Sequence, residues 1–198
     1  MATDAKRFDW IRLVRRRGET YPPPEMESEL DAAERILGSR LPAGYRAFAR
    51  RFGLGGRLHT LPELFRLMPV PGKGEPHWSD SVIDAARFWR SPAAVEDELP
   101  AEFLRQAIVF GCDEGALTFL FHTGEVTDPA GPEYRVYQIP RHYGPEPICE
   151  SFEEWLHWVH KGYDPRTWGD PDDEEDDDIG SFDPRPPAPT MPYARFPV

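Results

Sequence analysis

Cysteine is scarce in this sequence: Cys112 and Cys149 are the two thiols in 198 residues. Two cysteines cannot build a disulfide framework, and their spacing excludes a CxxC metal or redox site. The spacing leaves open whether they meet in space, and buried free thiols are the commoner state. Long apolar runs are also missing. No stretch of about 18 apolar residues occurs, so no membrane-spanning helix is expected. The opening "MATDAKRFDWIRLVRRRGET" has neither the apolar core nor the small-residue cleavage site of a secretory signal. The expectation is a soluble, cytoplasmic protein. Positive charge is outnumbered, with 23 Lys and Arg against 35 Asp and Glu and a net charge of -12. Such a chain is repelled by phosphate backbones, so direct binding to nucleic acid is not expected, whereas a basic protein partner fits.

Short catalytic signatures are absent as well. There is no GxSxG and no SxxK. "GLGG" (53–56) lacks the lysine of a phosphate-binding loop and reads as a helix terminus. "FGCDEG" places Cys112 between two strands, but a catalytic thiol needs a base beside it, and no local signature supplies one. A small turn residue is the simpler reading. Glu154, His157 and His160 sit one turn apart on a helix, yet one such segment does not make a metal centre. Polar residues on a solvent face account for the same pattern. The acidic run 170–178 fails as a calcium loop, because Asp177 stands where a glycine is required when counting from Asp172. No metal and no cofactor are expected, and an enzyme built on Cys112 or a metal ranks last.

What is present suits a packed core: 39% hydrophobic and 13% aromatic residues in a length that fits one domain with tails. Residues 4–17 read as a helix with Trp10, Leu13 and Val14 on one face and Arg15–Arg17 in its last turn. Pro22–Pro24 then force an extended link. Ser28 is expected to open a second helix, with Leu30, Ala33 and Leu37 inward and Gly38 ending it. Leu41-Pro42 starts a third, whose stripe is Leu41, Tyr45, Phe48, Ala49 and Phe52. A short strand over 64–68 and a helix over 79–90 follow, then a loop or single turn at "DELPAEF". Strands are expected at 107–110, 117–122 and 134–139, the first two joined by a turn built from 111–115. The segment 117–122 is apolar on both faces and belongs in the middle of the sheet. Ser151-Phe-Glu-Glu154 is a capping box, and Phe152, Trp155, Leu156 and Val159 form the buried stripe of the helix behind it. After about residue 164 the chain becomes acidic and then proline-rich, the composition of a tail without its own core.

Several of these pieces together resemble the SMI1/KNR4 family, the SUKH superfamily. "AERILGSRLPAGYRAFARRFGLGG" is similar to its N-terminal signature through Leu37-Gly38, Leu41-Pro42, Tyr45, Phe48 and Gly55-Gly56. "IVFGCDEGALTFLF" matches its strand, Gly-Asp-x-Gly turn and strand through Gly111, Asp113 and Gly115. "ICESFEEWLHWV" is similar to its closing helix through Ser151, Phe152, Glu153, Glu154 and Leu156. Leu54 stands where asparagine is common, and Phe121-His122 ends the central strand where an acidic residue is usual.

The resemblance implies an α+β fold, with N-terminal helices and a C-terminal helix packed on a mainly antiparallel sheet. It divides the chain into a basic N-terminal helix and proline linker (1–24), the SMI1/KNR4-like domain (25–163) and an acidic, proline-rich tail (164–198). It implies a non-enzymatic protein-binding role, most often that of a bacterial immunity protein covering the active site of a cognate toxin such as a nuclease. The alternative is an intracellular scaffold or regulatory protein. From charge and loop position, the expected contacts with a basic partner are Asp80, Glu96, Asp97, Glu98, Asp113 and Glu114. Asp172, Asp173, Glu174, Glu175, Asp176, Asp177 and Asp178 join them if the tail acts as a phosphate mimic; a merely solubilising segment is the plainer reading of that run.

Overall fold

The structure is a computed structural model that describes residues 7–13, 26–53, 55–59, 64–68, 81–90, 99–113, 117–140, 144–160 and 181–183. In chain order its elements are β1 (Arg12–Leu13), α1 (Met26–Leu37), α2 (Ala43–Phe52), β2 (Gly56–His59), β3 (Leu64–Leu67), α3 (Val82–Trp89), α4 (Ala101–Arg105), β4 (Ala107–Asp113), β5 (Thr118–Asp128), β6 (Glu133–Ile139), β7 (Glu146–Cys149), α5 (Phe152–His160) and β8 (Ser181–Asp183). The strands lie in one sheet in the order β1-β8-β2-β3-β4-β5-β6-β7. Every pairing is antiparallel except that of β1 with β8. This is the α+β arrangement the sequence implies.

The apolar stripes explain why the helices sit on the sheet. Leu41, Tyr45, Phe48, Ala49 and Phe52 are all buried, and so are Phe152, Trp155, Leu156 and Val159. Alternation along β5 sends Phe119 and Phe121 to the same side as these two stripes. Phe121 stacks on Phe110 with ring centroids 4.1 Å apart, and Trp155 meets Phe110 edge-on at 4.8 Å. Tyr45 of α2 packs edge-on against Phe152 of α5 at 5.2 Å. Such edge and offset contacts are the favoured aromatic geometries and add to the area they bury.

Helix ends follow local chemistry. Gly38, with φ of +68°, stops α1 in the left-handed region that glycine adopts without strain. Ser81 caps α3 by accepting the Asp84 N–H at 3.0 Å. Ser151 accepts the Glu154 N–H at 3.1 Å, while the Glu154 carboxylate reaches back to the Glu150 N–H at 2.8 Å. The Ser151 half is that of the capping box expected from the sequence, whereas the return bond of Glu154 falls one residue earlier, on Glu150 in place of the N-cap Ser151. Arg46, outside the α2 stripe, braces α1 through Glu27, Asp31 and Glu34 at 2.8, 2.9 and 2.8 Å.

Several sequence expectations are corrected. Residues 7–13 are not helical. Phe8 packs on Phe48 and Phe52, Ile11 N–H bonds back to Phe8 at 3.1 Å in a single turn, and Arg12–Leu13 pairs as a strand with β8. Tertiary pairing overrides the local helical pattern there. The second helix begins at Met26, two residues before Ser28. "DELPAEF" runs into the short helix α4. The first strand of the meander does not end at Phe110 but continues to Asp113, past an irregularity between Val109 and Gly111. A bulge absorbs the extra residue without ending the strand. Strands β2, β7 and β8 are additional to those expected. Residues 14–17, 22–24 and the proposed helix stop at Gly162 lie outside the described residues.

Candidate protein-binding surface

The other side of the β5–β6 ladder is built from the alternate residues. Leu120 pairs with Tyr137, and His122 pairs with Arg135. Beyond His122 the register shifts before Val126 meets Tyr134, which swings Glu125 toward β6. Glu125 therefore receives the Tyr137 hydroxyl at 2.8 Å and the Arg135 guanidinium at 3.0 Å. Arg135 also reaches Glu150, beside β7, at 3.1 Å. Phe103 of α4 stacks on the His122 ring at 4.6 Å, and Tyr137 meets Phe103 edge-on at 5.1 Å. The Glu125 carboxylate lies 3.3 Å from His122 Nδ1, which is left without an aligned hydrogen bond.

Burial lowers the His122 pKa, and Glu125 only partly offsets it. Burial and the bond to Glu125 push the Tyr137 phenol up to about 12. Both rings are thus neutral near pH 7. At the rim stand exposed Pro147, the register partner of Tyr137, and exposed Glu150, the ion-pair partner of Arg135. The patch is a cluster of aromatic rings, Phe103, His122 and Tyr137, bordered by charges of both signs.

A second polar centre is structural. Glu133 begins β6 and is buried. Its carboxylate accepts the Gly44 N–H at 2.5 Å and the Phe152 N–H at 3.4 Å, the first turns of α2 and α5. Pro132 accepts the neighbouring Ala43 N–H at 2.9 Å. A Cβ on Gly44 would stand 3.0 Å from the Glu133 oxygen, so glycine gives the carboxylate its room. Desolvation raises the Glu133 pKa even though both N–H donors favour the ion.

The residues singled out from sequence fall as follows. Asp113 closes the β4–β5 hairpin. Its side chain accepts the Leu117 N–H at 2.6 Å, and its own N–H donates to the Leu117 carbonyl at 3.1 Å. Asp80, Glu96, Asp97, Glu98, Glu114 and Asp172–Asp178 lie outside the described residues. Cys112 sits in β4, not in a turn, and neither it nor Cys149 is in a disulfide; both are buried. Burial pushes the Cys149 thiol up to about 12, away from the thiolate form. Glu154 accepts the Glu150 N–H ahead of α5, and Trp10 lies over His157 and His160 at 4.5 and 4.9 Å. Among the described residues no three His, Cys, Asp or Glu side chains gather as metal ligands. No described helix is long and apolar enough to cross a membrane. The residues that sequence reasoning missed are Glu125, Arg135, Tyr137 and Glu150, whose meeting depends on a register shift that no local pattern signals.

Helices α2 and α5 pack on one face of the mainly antiparallel sheet, and the short α4 borders an aromatic and charged patch on the other, an α+β arrangement. The chain belongs to the SMI1/KNR4 family (SUKH-1), whose model matches residues 24–158. At family level these are protein-binding, immunity-like or regulatory domains, generally without enzymatic activity. Among curated proteins, none matches the chain.

Proposed function

We propose that this protein is an immunity protein that binds a basic toxin domain, such as a nuclease, in the cytoplasm of the cell that makes it, and blocks it by covering its active site. The observation that carries this reading is the family match over residues 24–158. The net charge of -12 supports it, because acidic surface speeds encounter with a basic partner and disfavours competing nucleic acid. In this reading residues 25–163 form the binding domain and the flanks 1–24 and 164–198 are accessories. Tyr137 and Phe103 supply apolar contact. Glu125, Glu150, Asp113, Glu114, Asp80, Glu96–Glu98 and the run 172–178 supply the acidic rim. Occlusion of this kind needs no cofactor and no catalytic group.

The test is co-purification and calorimetry of the full chain with the toxin encoded beside it. Tight binding that weakens as salt rises, with loss of toxin activity, supports the proposal. Recovery of a housekeeping protein in place of any toxin would move the chain to the scaffold class. Replacing Asp172–Asp178 by the corresponding amides isolates the acidic run, and unchanged affinity would remove it from the interface.

A further inference from the structure

At the centre of the aromatic patch lies a titratable ring with an unused nitrogen. His122 is 8% exposed, and its Nδ1 is buried with no hydrogen-bond partner. The Glu125 carboxylate lies 3.3 Å away, through the same oxygen, Oε1, that accepts the Tyr137 hydroxyl at 2.8 Å. Its other oxygen, Oε2, is 3.0 Å from Arg135. Arg135 stands directly across the ladder from His122 and has a second carboxylate within reach, Glu150 at 3.1 Å. Local chain geometry holds this arrangement. Thr123 is tied to the Gln106 carbonyl by its N–H at 2.9 Å and its hydroxyl at 3.0 Å. At Gly124 a Cβ would meet the Gln106 side chain at 1.7 Å and the His122 ring at 3.2 Å, so glycine lets the chain pass close over both.

The charged and titratable neighbours come from the elements packed around the ring. β5 supplies Glu125, and β6 supplies Arg135 and Tyr137. Glu150, beyond β7, acts through Arg135. α4 supplies Phe103, stacked on the ring at 4.6 Å, with Glu102 and Arg105 near it, which pair with each other. The register partner on β4 is uncharged Ala107. A neutral imidazole offers one N–H, whereas the imidazolium donates from both nitrogens. Protonation therefore turns the approach of Nδ1 to Glu125 into a charge-assisted bond. It also places a positive charge opposite Arg135, and like charges directly opposite in an antiparallel pair repel.

From this geometry we infer that His122 is a proton-operated switch of the patch: on protonation it takes Glu125 Oε1 from the Tyr137 hydroxyl, and Arg135 turns from Glu125 to Glu150. The same groups thus have two arrangements, one for each charge state of a single ring. With His122 neutral, two carboxylates face one guanidinium and the cluster is acidic; with His122 charged, the two signs balance. Burial keeps the ring neutral near pH 7, so the change comes as pH falls below about 6.5. The switch is a property of this chain alone. Its consequence rests on the proposed function: a basic partner meets an acidic patch at neutral pH and a neutralised one in acid, so its affinity falls with pH.

The experiment follows side-chain NMR signals of the full chain between about pH 7.5 and 5.0: the His122 ring nitrogens, the Tyr137 ring and the Arg135 Nε–H. In the unmodified chain the Tyr137 and Arg135 signals are expected to move with the midpoint of the His122 ring. In His122→Gln they are expected to stay still over that range. In Glu125→Gln the His122 midpoint is expected to fall, because the carboxylate that favours the imidazolium is gone. The two variants act on opposite sides of the contact, so either decides the matter where the other fails to fold. Tyr137 and Arg135 signals that ignore the His122 titration, or that move as much in His122→Gln, overturn the proposal. So does an unaltered His122 midpoint in Glu125→Gln. Calorimetry with the toxin encoded beside the chain reads the consequence. Binding at pH 5.5 is expected to be about tenfold weaker than at pH 7.5, the effect of one linked pKa unit, and the loss in His122→Gln about twofold or less. A toxin held equally well by the unmodified chain at both pH values overturns the regulatory consequence. Absence of toxin binding at either pH overturns the proposed function instead, and the NMR titration still decides the switch.

Discussion

The two faces of the β5–β6 ladder obey different rules. On one, Phe110, Phe119 and Phe121 are buried beside Tyr45, Phe152 and Trp155, where the Tyr45 hydroxyl and Trp155 Nε1 find no hydrogen-bond partner. On the other, His122, Tyr137 and Arg135 meet Glu125, Glu150 and the ring of Phe103 in a partly exposed patch. The first face is shape-locked and decides whether the chain folds. The second is held by polar contacts that solvent weakens, and it can change partners at small cost. In the proposed function, that single strand separates the requirements of folding from those of recognition.

The sharpest way to test that division is Trp155→Ala. Trp155 is fully buried among Phe65, Phe110, Phe119 and Phe152, and its loss should cost about 3–5 kcal/mol in urea denaturation. Next comes Glu133→Ala, which strands the Gly44 and Phe152 N–H groups and should cost about 1–3 kcal/mol by the same measurement.

A smaller effect is expected from His122. Its folded pKa lies below the ordinary 6.5, so the unfolded chain binds the proton more readily. The stability it contributes is present above about pH 6.5 and is lost as pH falls through the folded value. His160 is shifted the same way, by burial and then by His157. Between about pH 7.5 and 5.5 the urea midpoint of the wild-type chain should fall, and that of His122→Gln should fall less. Equal falls would assign the pH dependence elsewhere. The smallest change is expected of Arg135→Ala, about 0–1 kcal/mol, since its ion pairs are part-exposed. A loss approaching that of Trp155→Ala would abolish the distinction between the faces.

The packed face is readable from sequence because its signals are local. The stripe from Leu41 to Phe52, the capping box at Ser151–Glu154 and the doubly apolar segment 117–122 each fix an element and its inward side. The open face is not readable, because Glu125 reaches Arg135 and Tyr137 only through a register shift in β5. Gly111-Cys112-Asp113 reads as a turn because glycine and aspartate favour turns, yet sheet neighbours on both sides keep it extended. Segments 7–13 and 181–183 are illegible for a related reason. The strands within them exist only by virtue of each other and of β2, and two or three residues carry no periodicity to detect. Of the contacts expected from charge, Asp113 is placed, and it serves the hairpin.

One consequence concerns the short connection between β5 and β6. Connections of this sort normally tolerate inserted residues. Here the residue just past the bend anchors the starts of two helices that lie far apart along the chain. Lengthening the bend, or grafting a foreign epitope into it, would unmoor both helices together. A tag placed at 129–132 should therefore ruin the protein, against the ordinary rule for hairpin tips.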